Sequence, residues 1–316
     1  MQSASALGQD QPYKTLSSGY KMPLIGLGTD KIFDSDILAN AVIQVGYRTL
    51  DTASRYQNEH VVGEAIQKII SNTELKRDDL FVVTKVWQDE VEDVEAACKR
   101  SLDRLKLDYV DLYLLHWPLY TRLVEPANPE TNTPAKYERI NIPVHKVWPQ
   151  LEALVEKGLV RSIGVSNFGV QSLWDLQSYA KIIPAVNEIE INPLYAQTDL
   201  VKYCLANNIL PIAYTPIARA ATTEKKRGTD NVLETDIVQA CSKKYQKSPV
   251  QVVLNWGISR GYGIIPKSAN IDRQRENFQI YDFKMEQSDL DEITALNRGQ
   301  KICYRDEFVF FHNIFA

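Results

Sequence analysis

Short continuous apolar runs alternate along this chain with longer stretches in which apolar residues recur every three to four positions. LIGLG, YRTLD, LFVVTK, VDLYLLH, SIGVS, AVNEIEI, ILPIAY and GIIP, rich in aliphatic and β-branched residues, read as eight strands. Helical spacing occupies 37–45, 61–70, 91–105, 144–157, 170–179, 200–207 and 235–243 continuing into 250–259, with 271–278 and 290–297 after the eighth strand. Ser248-Pro249 is a helix-opening pair, and Gly158 and Gly169 punctuate other helical stretches. Ahead of all this, YKTLSSGYKMPLIGLGT reads as a hairpin turning at Ser18-Gly19, with Pro23 confining its second run to an edge or a strand start.

Most of the strand runs are continuous rather than alternating, as expected for strands buried on both faces. Eight of them separated by helical stretches, with no linker-like shift in composition, predict an α/β fold: a closed (β/α)₈ TIM barrel. One domain is expected over 13–316, behind a flexible segment 1–12. The rival, a doubly wound sheet, needs G-x-G-x-x-G after the first strand, and GLGTDK supplies only the first two glycines. The Walker pattern is absent as well. Two long connections stand out, PLYTRLVEPANPETNTPAKYERINIP after the fourth strand and TPIARAATTEKKRGTD after the seventh; loops of this length in a compact domain are usually functional.

Composition narrows the partners. With 44% hydrophobic and 24% charged residues the chain is ordinary for a globular protein, and a net charge of −4 gives no reason to expect nucleic acid or an anionic membrane. That leaves a small molecule or another protein as partner, and a monomer or weak homodimer is expected. Cys98, Cys204, Cys241 and Cys303 lie far apart with no CxxC pair, which reads as buried thiols in a reducing compartment, with no metal site. MQSASALGQDQP has neither the basic start nor the apolar core of a signal peptide, and no apolar run approaches bilayer length, so a cytoplasmic location is expected.

In a barrel the loops after the strands form one face, and chemistry collects there. The second strand ends at Asp51, with Tyr56 in the following loop; the third ends at Lys85 and the fourth at His116. Each has a plainer role alone: a turn aspartate, a lysine reaching water, a hydrogen-bonded core histidine, a packing tyrosine. Four such groups finishing three consecutive strands call for a common reason. A phenol titrates near pKa ~10, a nearby ammonium lowers that value, a carboxylate keeps the ammonium charged, and an imidazole can orient a substrate oxygen. The set suits proton delivery to a carbonyl oxygen. Hydride for the carbon must come from a nicotinamide cofactor, since no side chain supplies it.

MPLIGLGT, GYRTLDTASRYQNE, FVVTKVW, DLYLLHWP, GLVRSIGVSNF, AVNEIEINP, AYTPI and IIPKSANIDRQRENF, in this order, resemble the aldo-keto reductase family over nearly the whole chain, in its xylose and aldose reductase branch. The resemblance implies a (β/α)₈ barrel that reduces aldehydes and ketones with NADPH. It makes Tyr56 the proton donor, supported by Asp51, Lys85 and His116. It places Thr29, Asp51, Ser166, Asn167, Glu188, Tyr214, Thr215 and Ile217 along the cofactor, with Ser166 and Asn167 at the carboxamide and Tyr214 stacked on the ring. Lys267, Ser268 and Arg273 would grip the 2′-phosphate, with Glu276 and Asn277 at the adenine; a lysine, a hydroxyl and an arginine at a helix start are also good phosphate ligands in their own right. Trp87, Trp117 and His116 would line the substrate site, core packing being the plainer role for both tryptophans, and YRDEFVFFHNIFA would lie as a tail over the active-site face.

Three positions depart from the family pattern. Asp30 stands where an aromatic residue is usual and Arg55 where an aliphatic one precedes the tyrosine; the two could pair at the pocket rim, or Arg55 could meet an anionic substrate. Glu188 replaces a glutamine, and an ionised carboxylate cannot donate to the carboxamide oxygen. It is expected to be protonated, paired with a cation such as Arg219, or to weaken NADPH binding. With Ala218, where glycine is usual, these changes leave open a cofactor-binding barrel with a regulatory or structural role and little turnover. A metal-dependent lyase lacks a ligand cluster.

Overall fold

The computed structural model describes residues 11–127, 135–220 and 231–303. A two-stranded antiparallel hairpin comes first, β1 (Tyr13–Thr15) against β2 (Lys21–Pro23), turning at Gly19 with φ +87°. Its inward residues Leu16 and Met22 are almost fully buried.

All eight strands read from the sequence are present. They are β3 (Gly26–Gly28), β4 (Thr49–Asp51), β5 (Phe81–Val86) and β6 (Val110–Leu115), then, after an inserted hairpin, β9 (Val160–Ser166), β10 (Val186–Glu190), β11 (Leu210–Tyr214) and β12 (Gly263–Ile264). They form one parallel sheet in chain order. A parallel bridge between Ile25 and Ile264, with Ile264 N–H donating to Leu24 O over 2.8 Å, joins the last strand to the first. The barrel is closed there.

Helices cover it. These are α1 (Ser35–Asn40), α2 (Glu59–Asn72), α3 (Val94–Leu105), α4 (Val144–Glu156), α5 (Val170–Tyr179), α6 (Thr198–Ala206), α7 (Asp236–Tyr245), α8 (Pro249–Ser259), α9 (Ile271–Phe278) and α10 (Gln287–Thr294). Two details differ from the periodicity. The stretch 37–45 starts earlier, because the Asp34 side chain accepts from Asp36 N–H, and it ends as a π-helical turn (Ala41–Val45). The stretch from 235 to 259 is two helices: Gln246 turns left-handed at φ +54°, and a reciprocal capping box between Ser248 and Gln251 starts the second.

The connection after β6 is not an open loop. It folds into an antiparallel hairpin, β7 (Tyr120–Glu125) with β8 (Lys136–Ile140). Most of its residues are exposed, so it carries no in-out hydrophobic alternation to mark it as strand.

The strand period of two organises the interior. Phe81 and Val83 on β5, Leu112 and Leu114 on β6, Val186 on β10, and Leu210 and Ile212 on β11 form one cluster with Leu16 and Met22 of the first hairpin, which closes that end of the barrel. The next inward positions along these strands are Lys85, His116, Glu188 and Tyr214. A separate, larger apolar cluster lies between strands and helices.

Candidate active site

The inward alternation carries polar side chains to the C-terminal mouth of the barrel. Lys85 is fully buried, and its Nζ lies 2.7 Å from Asp51 Oδ1, 3.0 Å from Thr52 O and 3.3 Å from Glu188 Oε1. The Lys85 Nζ sits 5.3 Å from the centre of the Tyr56 ring. Tyr56 meets His116 edge to face at 5.9 Å, and His116 meets Trp87 edge to face at 4.9 Å. Tyr56, Asp51, Lys85 and His116 therefore converge, as their strand-end positions suggested.

The electrostatics differ from the expectation in sign. The Tyr56 phenol is raised above its ordinary value, because the loss of water outweighs the lowering by Lys85, while Asp51, Glu188 and Asp30 push the same way as burial. This phenol is a neutral donor rather than an acidified one. For Lys85, burial disfavours the charge, but Asp51 and Glu188 more than offset it, and the ammonium is held above its usual range. Glu188 is raised well above the ordinary carboxyl value by burial first and by Asp51 second, against the lowering by Lys85. The cation beside Glu188 is thus Lys85 rather than Arg219, whose charge bears on Glu190 and Cys303.

A second group lies beside this cluster. Ser166 Oγ donates to the backbone carbonyl of Glu188 over 2.7 Å, and Asn167 N–H donates to the same oxygen over 3.0 Å. Asn167 Nδ2 donates to His116 O at 3.0 Å, and Tyr214 donates to Asn167 Oδ1 at 2.7 Å. Asn167 holds φ +64° and Thr215 φ +52°, the latter a strained conformation for a β-branched residue. Ala218 at φ +54° explains why glycine, which adopts this region without steric cost, suits that position better. Ile217 is half-buried against the outer core. Thr29, by contrast, is committed: its N–H and hydroxyl both bond to Asp51 O, at 3.0 and 2.9 Å.

After β12, Lys267 and Arg273 are exposed and Ser268 is buried, its hydroxyl accepting from Asn270 N–H. Asn270 caps α9 by accepting from Arg273 N–H. Asn277 is buried and Glu276 half-buried on the same helix. Arg55 stacks 5.5 Å from the Trp87 ring, and its charge acts on Asp89 and Tyr137, whereas Asp30 acts on the Tyr56 phenol. Trp87 and Trp117 are both buried. The tail from Tyr304 onward lies outside the described residues.

Two residues of the site were not singled out in the sequence. Asn58 donates to Thr29 O and Ile32 O at 2.7 and 3.0 Å and accepts from Thr52, tying the loops after β3 and β4 together. Glu190, fully buried, accepts from the backbone N–H groups of Ile302 and Cys303 at 2.7 and 2.9 Å. The two glutamates two positions apart in AVNEIEI, an otherwise uncharged strand, are the one hint of Glu190.

Residues 25–298 match the model of the Aldo/keto reductase family. An NADP-dependent D-sorbitol-6-phosphate dehydrogenase of Malus domestica is 38% identical over 290 residues, spanning 90% of this chain and 93% of that one. Aldose reductase B of Dictyostelium discoideum is 35% identical, with 90% of this chain and 92% of that one covered. The crystal structure of a Bombyx mori aldo-keto reductase in complex with NADP superposes with a TM-score of 0.84 at 33% identity, covering 95% of this chain and 97% of that one. Barrel topology, strand-end chemistry and these likenesses agree, and the chain belongs to the aldo/keto reductase family.

Proposed function

We propose that this protein reduces the carbonyl group of a small aldehyde or ketone to the alcohol with NADPH, and that Tyr56 delivers the proton. The observation that carries the proposal is the contact of Lys85 with Asp51 at 2.7 Å beneath the Tyr56 ring, beside the Ser166, Asn167 and Tyr214 group. When bound, the nicotinamide supplies a hydride to the carbonyl carbon. Everything else falls to side chains.

Tyr56 stays protonated until negative charge develops on the substrate oxygen, and then gives up its proton. The phenolate left behind is stabilised by the ammonium of Lys85, which Asp51 keeps charged and fixed. His116, its ring set against Trp87, orients the substrate oxygen. Buried indoles at Trp87 and Trp117 exclude water from the reacting atoms.

The residues fit the cofactor. Asn167 and Ser166 are held in place by bonds to Glu188 and His116 main-chain oxygens, so their positions are set before any ligand arrives. Tyr214 presents its ring at the mouth, fixed through Asn167. In this reading Thr29, Asp51, Glu188, Thr215 and Ile217 lie along the same cofactor. The exposed Lys267 and Arg273, with the Ser268 hydroxyl, suit a 2′-phosphate, with Glu276 and Asn277 beside the adenine; the NADP in the names of the apple enzyme and of the silkworm complex supports the same cofactor. One domain over 13–316, acting as a monomer or weak homodimer in the cytoplasm, completes the reading; four free cysteines support a reducing compartment.

The test is Tyr56→Phe, followed by loss of NADPH absorbance with a reactive aromatic aldehyde. We expect kcat to fall roughly 10²- to 10⁴-fold while NADPH binding persists. Tight NADPH binding by the wild type without turnover across aldoses, aliphatic aldehydes and ketones would instead point to a non-catalytic barrel.

A further inference from the structure

The charge inventory at the bottom of the site does not balance. One ammonium, Lys85 of β5, faces two carboxyl groups, Asp51 of β4 and Glu188 of β10, and all three are buried. Among the described residues, the phenols of Tyr56 and Tyr214 also feel the Glu188 charge, His116 meets Tyr56 edge to face, and Glu190 lies two residues further along β10. An uncompensated buried charge costs several kcal/mol, so such a cluster holds one proton more than ordinary carboxyl titration would give it.

Geometry says which carboxyl holds it. Asp51 takes the closer place on Lys85, 2.7 Å against 3.3 Å. As an ionised carboxylate, Glu188 leaves Oε2 buried without a hydrogen-bond partner. Protonated, the same side chain has an O–H to offer the Asp51 carboxylate that shares its ammonium. A glutamine here would itself carry no charge at any pH. Glutamate makes its charge adjustable.

We infer that Glu188 is a proton-linked sensor of the cofactor's oxidation state, keeping its proton beside the neutral reduced ring and releasing it beside the cationic oxidised ring. This rests on the cofactor placement proposed above, which sets the nicotinamide over Ser166, Asn167 and Glu188. Protons and charge balance: binding of NADP⁺ ejects one proton from the carboxyl to solvent, and the carboxylate formed compensates the positive ring. Binding of NADPH ejects none from Glu188. The consequence is a pH-dependent preference, with oxidised cofactor held more tightly as pH rises and reduced cofactor not. The 2′-phosphate, which also titrates near pKa ~6, is common to both nucleotides and cancels in their comparison.

The experiment is calorimetric titration of the wild-type protein and of Glu188→Gln with NADP⁺ and with NADPH, in two buffers of different ionisation enthalpy, from pH 6 to 9. The expected result for wild type is release of up to about one more proton with NADP⁺ than with NADPH, with NADP⁺ affinity rising at most about ten-fold per pH unit relative to NADPH. In Glu188→Gln both differences vanish while both nucleotides still bind. Equal proton release by the two nucleotides in wild type overturns the inference without touching the proposed activity. So does a difference that persists in Glu188→Gln, since it then belongs to Tyr56 or His116. Failure of either nucleotide to bind wild type overturns the cofactor reading itself.

Discussion

Asp51 Oδ1 and Lys85 Nζ meet at 2.7 Å inside the barrel, and Glu188 Oε1 stands 3.3 Å from the same ammonium. Breaking a buried ion pair by removing one partner ordinarily costs about 3–5 kcal/mol, because the other charge is stranded. Here a second carboxyl is in reserve. We expect Asp51→Asn to cost clearly less than that range, since loss of the Asp51 charge lets Glu188 ionise and take over Lys85. In a Glu188→Gln background the same Asp51→Asn change should cost the full amount. Urea unfolding of the two single variants and the double variant checks this; equal costs of Asp51→Asn in both backgrounds would show that Glu188 is no reserve.

The raised Glu188 pKa also sets a pH dependence of folding stability. Its folded value lies well above the ordinary 4.5, so below pH 4.5 both folded and unfolded chains hold the proton and the stabilisation is fully present. Above that, the unfolded chain has released a proton that the folded one retains. Stability is then lost as pH rises, until the folded value is passed, at a rate of at most about 1.4 kcal/mol per pH unit. Glu188→Gln removes this slope, and the gap in Tm between it and the wild type should change steadily in the variant's favour from pH 5 upward.

At the far end of the proposed cofactor site the charges are exposed, and their effect is on binding alone. Lys267→Ala and Arg273→Ala should each weaken NADPH about 10- to 100-fold, the worth of a charge-assisted hydrogen bond, and leave NADH nearly unchanged. Fluorescence titration with the two nucleotides checks it, and parallel losses for both would place the phosphate elsewhere.

Gly63 lies where α2 crosses the end of α3. A Cβ there would stand 2.6 Å from Leu105 O and 2.8 Å from Arg104 O, both backbone atoms that cannot swing aside. Gly63→Ala should therefore destabilise by about 1–3 kcal/mol, read as a lower urea midpoint with an unchanged m-value. Catalysis by the folded fraction should survive, since the contact lies on the helix layer.

Much of this was open to inspection in the residues alone. Strands buried on both faces announce themselves as continuous apolar runs, so β3 to β6 and β9 to β12 were all visible, and Asp51, Lys85 and His116 stood out as the polar residues ending three of them. The hairpin of β7 and β8 was not, because most of its residues are exposed and lose the apolar signature of strand. The break between α7 and α8 rests on one left-handed residue, Gln246, which hydrophobic spacing does not register.

The charge states belong to tertiary structure. A sequence shows that a lysine follows a tyrosine by 29 positions, and simple electrostatics then lowers the phenol. Only the packed barrel decides that lost hydration outweighs that attraction at Tyr56. Likewise Glu188 was legible as an odd residue but not as a neighbour of Lys85, since 103 positions separate them and their meeting depends on sheet closure and register. Local periodicity determines which side of a strand a residue occupies; the distance between side chains from opposite walls, and the water left between them, is fixed only when the walls close.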